Sequence, residues 1–277
     1  MPAKSVEQVS IKKVSAAHTS DADDILAAEE PMEIRLGYMA AGKRTVKSIS
    51  VTMRTPGNDF ELALGFLYTE GIIKSAADVI SVQHPNDTNN NVVQVVVSDT
   101  VTPDIAKLER NFYTSSSCGV CGKASIEAVF AACSILDTKD DLQFSRDIIY
   151  LLPDILRKHQ DVFESTGGLH GCALFDINGT LILTREDVGR HNALDKLIGA
   201  SLNKDMLPLD KYLLLLSGRA SFELIQKGAM AGIKIVAAVG APSSLAVQMA
   251  KEWGMTLIGF LRGERFNIYS GAERIVI

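Results

Sequence analysis

The chain has 277 residues, enough for one large domain or two modest ones. Hydrophobic residues make up 47% and charged residues 22%, so a buried core is within reach and global disorder is excluded. The formal net charge of −5 argues against a nucleic-acid binder but leaves room for a small anionic ligand held by a few local Arg side chains.

In chain order, residues 1–30 are polar and Ala-rich, which predicts a flexible arm with one weak strand near Val9–Val14. They carry no apolar signal core, and no run in the chain nears the roughly 18 apolar residues of a membrane span, so a cytoplasmic protein is expected. From Pro31 the pattern becomes regular. Glu33–Met39 and Val46–Met53 read as strands, with Ile49, Val51 and Met53 alternating with polar residues. Asn58 followed by Glu61 predicts a capping-box start for a helix that Gly71 ends. Val79–Gln83 and Val92–Val97 predict a strand pair around the polar turn at Asn86–Asn91. Thr102-Pro103-Asp104 opens a short helix.

Thr114–Ser117 is a polar loop that leads into Cys118-Gly-Val-Cys121-Gly, and Lys123–Ile135 reads as a helix with one apolar face. A further helix is predicted from Ser145 towards Phe163, kinked at Pro153. Asn178-Gly179 joins the strands Cys172–Ile177 and Thr180–Thr184 in a hairpin. Helices at Asn192–Leu202, Phe222–Ala231 and Ser243–Trp253 then alternate with apolar strands at Tyr212–Leu216, Ile233–Val239 and Met255–Leu261. Continuous apolar strands between helices imply a sheet covered on both faces. The expected fold is α/β: an N-terminal α+β domain at 31–117 and a larger three-layer domain at 118–277.

Four cysteines divide by context: Cys133 and Cys172 look like core residues, whereas Cys118 and Cys121 lie in one turn. A structural zinc site would need two more ligands, and no second C-x-x-C or paired His motif supplies them. A zinc deaminase would need H-x-E, which none of the five His residues begins. Thiol chemistry fits better. The start of the helix near Lys123 favours a thiolate, Lys123 adds positive charge, and Gly119 and Gly122 free the backbone. Such a thiolate can take up sulfur as a persulfide; the plain alternative is two inert cysteines in a turn.

Other polar sites stay ambiguous. Asp187-Val-Gly-Arg190-His191-Asn192 precedes a helix whose backbone could receive an anion, and Ser217-Gly218-Arg219 follows a buried strand. His170 sits beside Gly167, Gly168 and Gly171. Each could equally serve the fold alone.

The segments SSSCGVCGKASIE and EDVGRHNALDK, with MRTPGNDFELALGF, TEGII, TGGLH, LSGRASFELIQK, APSSLA and TLIGFLRGERFNIY, resemble the formate dehydrogenase accessory sulfurtransferase family (FdhD/NarQ). They run from about residue 31 to the C-terminus; Gly37, where the family often has Asn, is one departure. The resemblance implies a sulfurtransferase that takes persulfide sulfur from a cysteine desulfurase. It would pass that sulfur to the bis-molybdopterin guanine dinucleotide (Mo-bis-MGD) cofactor before insertion into formate dehydrogenase. By motif, Cys118 is the persulfide carrier and Cys121 its assistant. The cofactor contact falls on Phe260, Leu261, Arg262, Gly263, Glu264 and Arg265, and a guanine nucleotide is expected to mimic the cofactor. The resemblance also implies a cytidine-deaminase-like fold for the C-terminal domain. A homodimer is expected, because a two-headed ligand suits two equivalent sites. The alternative is a molybdenum-cofactor-binding chaperone without covalent sulfur transfer.

Overall fold

Strand pairing begins earlier than the hydrophobic pattern suggests. The computed structural model describes residues 5–85, 90–104 and 141–277. Where the sequence predicts one weak strand, there are two: β1 (Val6–Val14) and β2 (Thr19–Ala27) pair antiparallel, from Val6 opposite Ala27 to Val14 opposite Thr19. Both are largely exposed, so no apolar alternation announces them. Cross-strand contacts such as Lys12 to Asp21 at 2.8 Å accompany the pairing.

Four strands form the next sheet, in the order β4-β3-β6-β5: β3 (Glu30–Ala40), β4 (Lys43–Arg54), β5 (Val79–Gln83) and β6 (Val92–Val97). The last two pair antiparallel as the valine runs predict. Gly37 lies in β3 opposite Val46 and Val96. Helix α1 (Asp59–Thr69) lays Leu62 and Leu67 against Met32, Ile34, Leu36, Val93 and Val95. Its start departs from the predicted capping box. Asn58 has a left-handed backbone, φ 57°, and its side chain caps nothing. The start is fastened from behind, by a two-pronged pair between the fully buried Arg54 and Asp59, at 3.0 and 3.1 Å.

The larger sheet has six strands in the order β13 (Arg265–Ser270), β12 (Thr256–Arg262), β11 (Ile235–Ala238), β10 (Leu213–Leu216), β8 (His170–Phe175) and β9 (Leu181–Asp187). Ahead of it come β7 (Phe144–Ser145), α2 (Arg146–Arg157) and α3 (Asp161–Thr166). The predicted single helix is therefore two. The first starts at the predicted place, with the Ser145 hydroxyl accepting from the Asp147 amide, and the chain stays helical through Pro153. The break comes later, at Lys158–Gln160, because the Glu186 carboxylate accepts from the Val162 and Phe163 amides at 3.2 Å and so starts a new helix there. That partner lies 24 residues away, beyond any local signal.

The rest follows the predicted alternation. It comprises β8 (His170–Phe175), β9 (Leu181–Asp187), α4 (Arg190–Asn203), β10 (Leu213–Leu216), α5 (Phe222–Met230), β11 (Ile235–Ala238), α6 (Ser244–Glu252) and β12 (Thr256–Arg262). Strands β10, β11 and β12 are parallel, while β8, β9 and β13 (Arg265–Ser270) run antiparallel to their neighbours. β13 and the short β14 (Ile275–Val276), which pairs with β7, have no counterpart in the sequence reading. Period-two alternation splits the apolar strands between two cores. Leu214, Leu216 and Val236 face α4, α5 and α6, whereas Leu213, Leu215 and Ile235 face Ile149, Leu152 and Leu156 of α2.

Helix α4 is buried over most of its length because it lies between the six-stranded sheet and α1. The two helices cross at Gly65 and Gly199. A Cβ at Gly65 would lie 1.8 Å from the Asp195 carbonyl oxygen, and one at Gly199 would lie 1.9 Å from that of Glu61. Only glycine permits that approach. Around it, Lys227 of α5 pairs with the buried Asp195 at 2.9 Å, and Thr69 donates to the same carboxylate at 3.0 Å.

Candidate functional site

Strand direction gathers the polar segments onto one edge of the larger sheet. Parallel β10, β11 and β12 end there. Antiparallel β8 begins there and β9 ends there, with His170 opposite Asp187. Helices α4, α5 and α6 each start at this edge, so three N-termini bring partial positive charge to it.

Backbone hydrogen bonds tie the loops together. Ser217 donates its amide to the Gly171 carbonyl at 2.9 Å, and its hydroxyl accepts from the Gly171 amide at 2.9 Å. The amide of Gly240 donates to the Gly218 carbonyl at 2.9 Å, and that of Phe260 to the Gly240 carbonyl at 3.0 Å. The loops after β10 and β11 and the end of β12 thus form one continuous rim.

The predicted cofactor segment 260–265 comprises the end of β12, the Gly263-Glu264 turn and the first residue of β13. Phe260 has φ 55°, a left-handed conformation that is uncommon for a non-glycine residue, and the residue is 42% exposed. A register shift between Gly259 and Arg262 produces this geometry. Leu261 is buried in the α2-side core and anchors the hairpin. Arg262, Gly263, Glu264 and Arg265 are exposed at the tip. The Arg262 Nε donates to the Val239 carbonyl at 3.4 Å, which fastens the stem of that side chain to the neighbouring loop.

At the other end of the rim stand His170, Arg190, His191, Ser217 and Arg219. The His170 ring lies against the Ser217-Gly218 turn: a Cβ on Gly218 would be 3.2 Å from its Nδ1. Burial, then the positive charges of Arg190, His191 and Arg219, hold the His170 imidazole below its ordinary pKa, against the pull of Asp187. His191 sits at the buried start of α4. Its Nε2 is 3.4 Å from the Ser221 hydroxyl and 3.9 Å from the Glu223 carboxylate. Burial alone would raise the Glu223 carboxyl. The nearby His191 and hydrogen bonds from the Glu223 amide and Ser221 outweigh burial and hold it down at about 2.

Asp187 is fully buried and engaged within the fold. It accepts from the amides of Gly189 at 2.8 Å and Thr55 at 3.1 Å, from Asn192 at 3.1 Å, and pairs with the buried Lys196 at 2.7 Å. This network fixes the loop before α4 to the end of β4. Lys196, Thr55 and Glu223 are absent from the sequence reading. A lysine on the buried stripe of an apolar helix is the one signal that could have pointed to Lys196.

Cys172 is a buried thiol in β8, and burial pushes its pKa far up, as a core residue requires. The predicted sulfur-handling pair, Cys118 and Cys121, lies outside the described residues, as do the Thr114–Ser117 loop, the Lys123–Ile135 helix and Cys133. Among the described residues, no helix is long and apolar enough to cross a membrane.

The model of the FdhD/NarQ family matches residues 27–276. The sulfur carrier protein FdhD of Streptomyces coelicolor is 48% identical over 98% of this chain and 96% of its own length. That of Mycolicibacterium paratuberculosis is 50% identical over 91% and 92%, and that of Saccharolobus solfataricus 41% identical over 98% of both. A crystal structure from Desulfotalea psychrophila, named for a formate dehydrogenase accessory protein, superposes with a TM-score of 0.77 at 23% identity. It covers 99% of this chain and all of that one, which bears on the fold.

Proposed function

Since the chain belongs to the FdhD/NarQ family, we propose that it is a sulfur carrier for formate dehydrogenase, acting as a persulfide sulfurtransferase in the cytoplasm. Cys118 takes the outer sulfur of a cysteine desulfurase persulfide: its thiolate attacks that sulfur, the S–S bond breaks, and the desulfurase leaves as a thiolate. The Cys121 thiolate then attacks the inner sulfur of the Cys118 persulfide: a Cys118–Cys121 disulfide forms, and the outer sulfur leaves as hydrosulfide for the Mo-bis-MGD cofactor as substrate, before the cofactor enters formate dehydrogenase. A cellular dithiol reductant restores the pair before the next round.

The observation that supports this reading is the tip of the β12–β13 hairpin. Two exposed arginines, Arg262 and Arg265, flank Gly263, and the exposed aromatic residue Phe260 stands at their base. Guanidinium groups suit phosphate oxygens, and an exposed ring suits a planar base. A homodimer would present two such tips to a ligand with a guanine nucleotide at each end.

Intact-mass analysis after incubation with desulfurase and cysteine tests the sulfur step. Wild type gains the mass of one sulfur atom, and Cys118→Ala does not. An equal gain in that variant removes Cys118 from the role. If Cys118→Ala still supports active formate dehydrogenase in cells, the chain is a cofactor chaperone instead. Sedimentation that shows only monomer at micromolar concentration overturns the dimer.

A further inference from the structure

The β1–β2 hairpin forms a sheet of its own, and the proposed sulfur step leaves it without a task. One side of it is occupied: β2 packs along α3, and a Cβ on Gly168, just after that helix, would lie 3.6 Å from the Ala27 Cβ. The far edge of β1 has no strand beside it among the described residues. A nine-residue, largely exposed edge is a template for another strand, and a two-stranded hairpin alone is only marginally stable in water.

The register shows which groups stand on that edge. The Ala28 amide donates to the Ser5 carbonyl and the Ser15 amide to the His18 carbonyl, both at 2.9 Å. With Val6 opposite Ala27 and Val14 opposite Thr19, the odd-numbered residues of β1 therefore exchange hydrogen bonds with β2. The amides and carbonyls of Val6, Gln8, Ser10, Lys12 and Val14 point outwards. An antiparallel second copy of β1 fits them when Ser10 meets Ser10 of that copy. Gln8 then meets Lys12 and Val6 meets Val14, so outward backbone faces outward backbone in a ladder of about ten hydrogen bonds. The pairs between them, where side chains come closest, are Glu7 with Lys13 and Val9 with Ile11, each occurring twice. Lys12 is already held by Asp21, whereas Glu7 and Lys13 are exposed and have no ion pair among the described residues. A shift of two residues sets Lys13 against Val9 or Glu7 against Ile11, so the charges select one register.

We infer that two copies of this chain join edge to edge through β1, making one continuous sheet about a two-fold axis at Ser10. A two-fold contact must be complementary to itself, and the Val6–Val14 sequence is: its acidic end meets its basic end. Pairing also covers Val14, which is 75% exposed in the single chain. This gives the proposed homodimer a surface and does not rest on the sulfur chemistry. A single edge contact is small, so the dimer is expected to dissociate in the micromolar range.

Sedimentation velocity of the full chain at low salt, from low to high micromolar concentration, tests the contact. Wild type is expected to dimerise. Glu7→Lys and Lys13→Glu each set like charges opposite one another twice, and each should weaken the dimer about tenfold or more. Mixing the two variants restores opposite charges at both places, so the mixture should dimerise as wild type does. The chain that carries both substitutions should do the same. Both positions are exposed, and an unchanged near-ultraviolet circular dichroism spectrum checks that each variant folds. A wild type that stays monomeric overturns the inference. Undiminished dimerisation in the single variants, or a mixture that binds no tighter than either alone, does so too and moves the dimer to another surface. Cys118→Ala should dimerise like wild type, so a failure of the sulfur role and a failure of this contact are read separately.

Discussion

Substituting Ala for Gly65 or Gly199 tests whether the α1–α4 crossing holds the two sheets together. The added methyl carbon would sit 1.8 Å from a carbonyl oxygen at Gly65 and 1.9 Å at Gly199. An ordinary carbon–oxygen contact is about 3.3 Å or more, so the helices must part by roughly 1.5 Å. Parting strains bonds on both sides of the crossing. Thr69 to Asp195 spans 3.0 Å, Lys227 to Asp195 2.9 Å, and Arg185 Nη2 to Glu61 2.7 Å. Overpacking costs about 1–3 kcal/mol. Weakening two of these bonds adds about 1–2 kcal/mol. Alanine's better helix propensity returns about 1 kcal/mol. The net loss is about 1–4 kcal/mol, a fall in Tm of roughly 2–16 °C at about 2–4 °C per kcal/mol for a chain of this size. Thermal and urea unfolding of each variant measure it. An unchanged or raised Tm in both would mean that propensity outweighs packing, and the crossing would not be the close joint described.

Lys196→Met leaves the fully buried Asp187 without its cation and is expected to cost about 3–5 kcal/mol; Asp187→Asn in the same chain should recover part of it, and urea midpoints that show no recovery would refute the pairing. Cys172 should resist alkylation in the native chain, read by peptide mapping, and react only after unfolding; equal labelling in both states would refute its place in the core. Glu223 has its folded pKa lowered from 4.5 to about 2, so its stabilising contribution is present above about pH 4.5 and is lost as pH falls towards 2. The stability gap between wild type and Glu223→Gln should therefore narrow over that range; a constant gap in urea midpoints would contradict it.

The sequence was most legible where one residue type or one turn decides the structure. The Leu213–Leu216 run has to be a strand buried on both faces, and its alternate residues do feed two cores. Asn178-Gly179 makes its hairpin because Gly179 takes φ 76° and Asp176 accepts from the Asn178 and Thr180 amides. Legibility fails where a distant partner decides. Asn58 loses its capping role to the Arg54–Asp59 pair, and the α2–α3 break depends on Glu186. β1 and β2 escape notice because a strand exposed on both faces leaves no hydrophobic period. The rim was half legible. The polar segments could be found one by one, but only the antiparallel placement of β8 and β9 brings His170 and Arg190 beside the loop after parallel β10.

That placement also sets a length. Phe260 lies near the end of β12 and His170 opens β8, with β11 and β10 between them. Three strand spacings of about 4.8 Å separate the hairpin tip from the cationic group around His170 by about 14 Å. Inorganic phosphate cannot span that distance, whereas an extended nucleotide carrying a diphosphate can touch the aromatic ring at one end and the arginines at the other. The two ends should then be separable. In calorimetric titrations, Phe260→Ala would weaken guanosine diphosphate binding and leave pyrophosphate binding untouched, whereas Arg219→Gln would weaken both. Equal weakening of pyrophosphate by Phe260→Ala would place both groups on a single contact and refute a ligand laid along the rim.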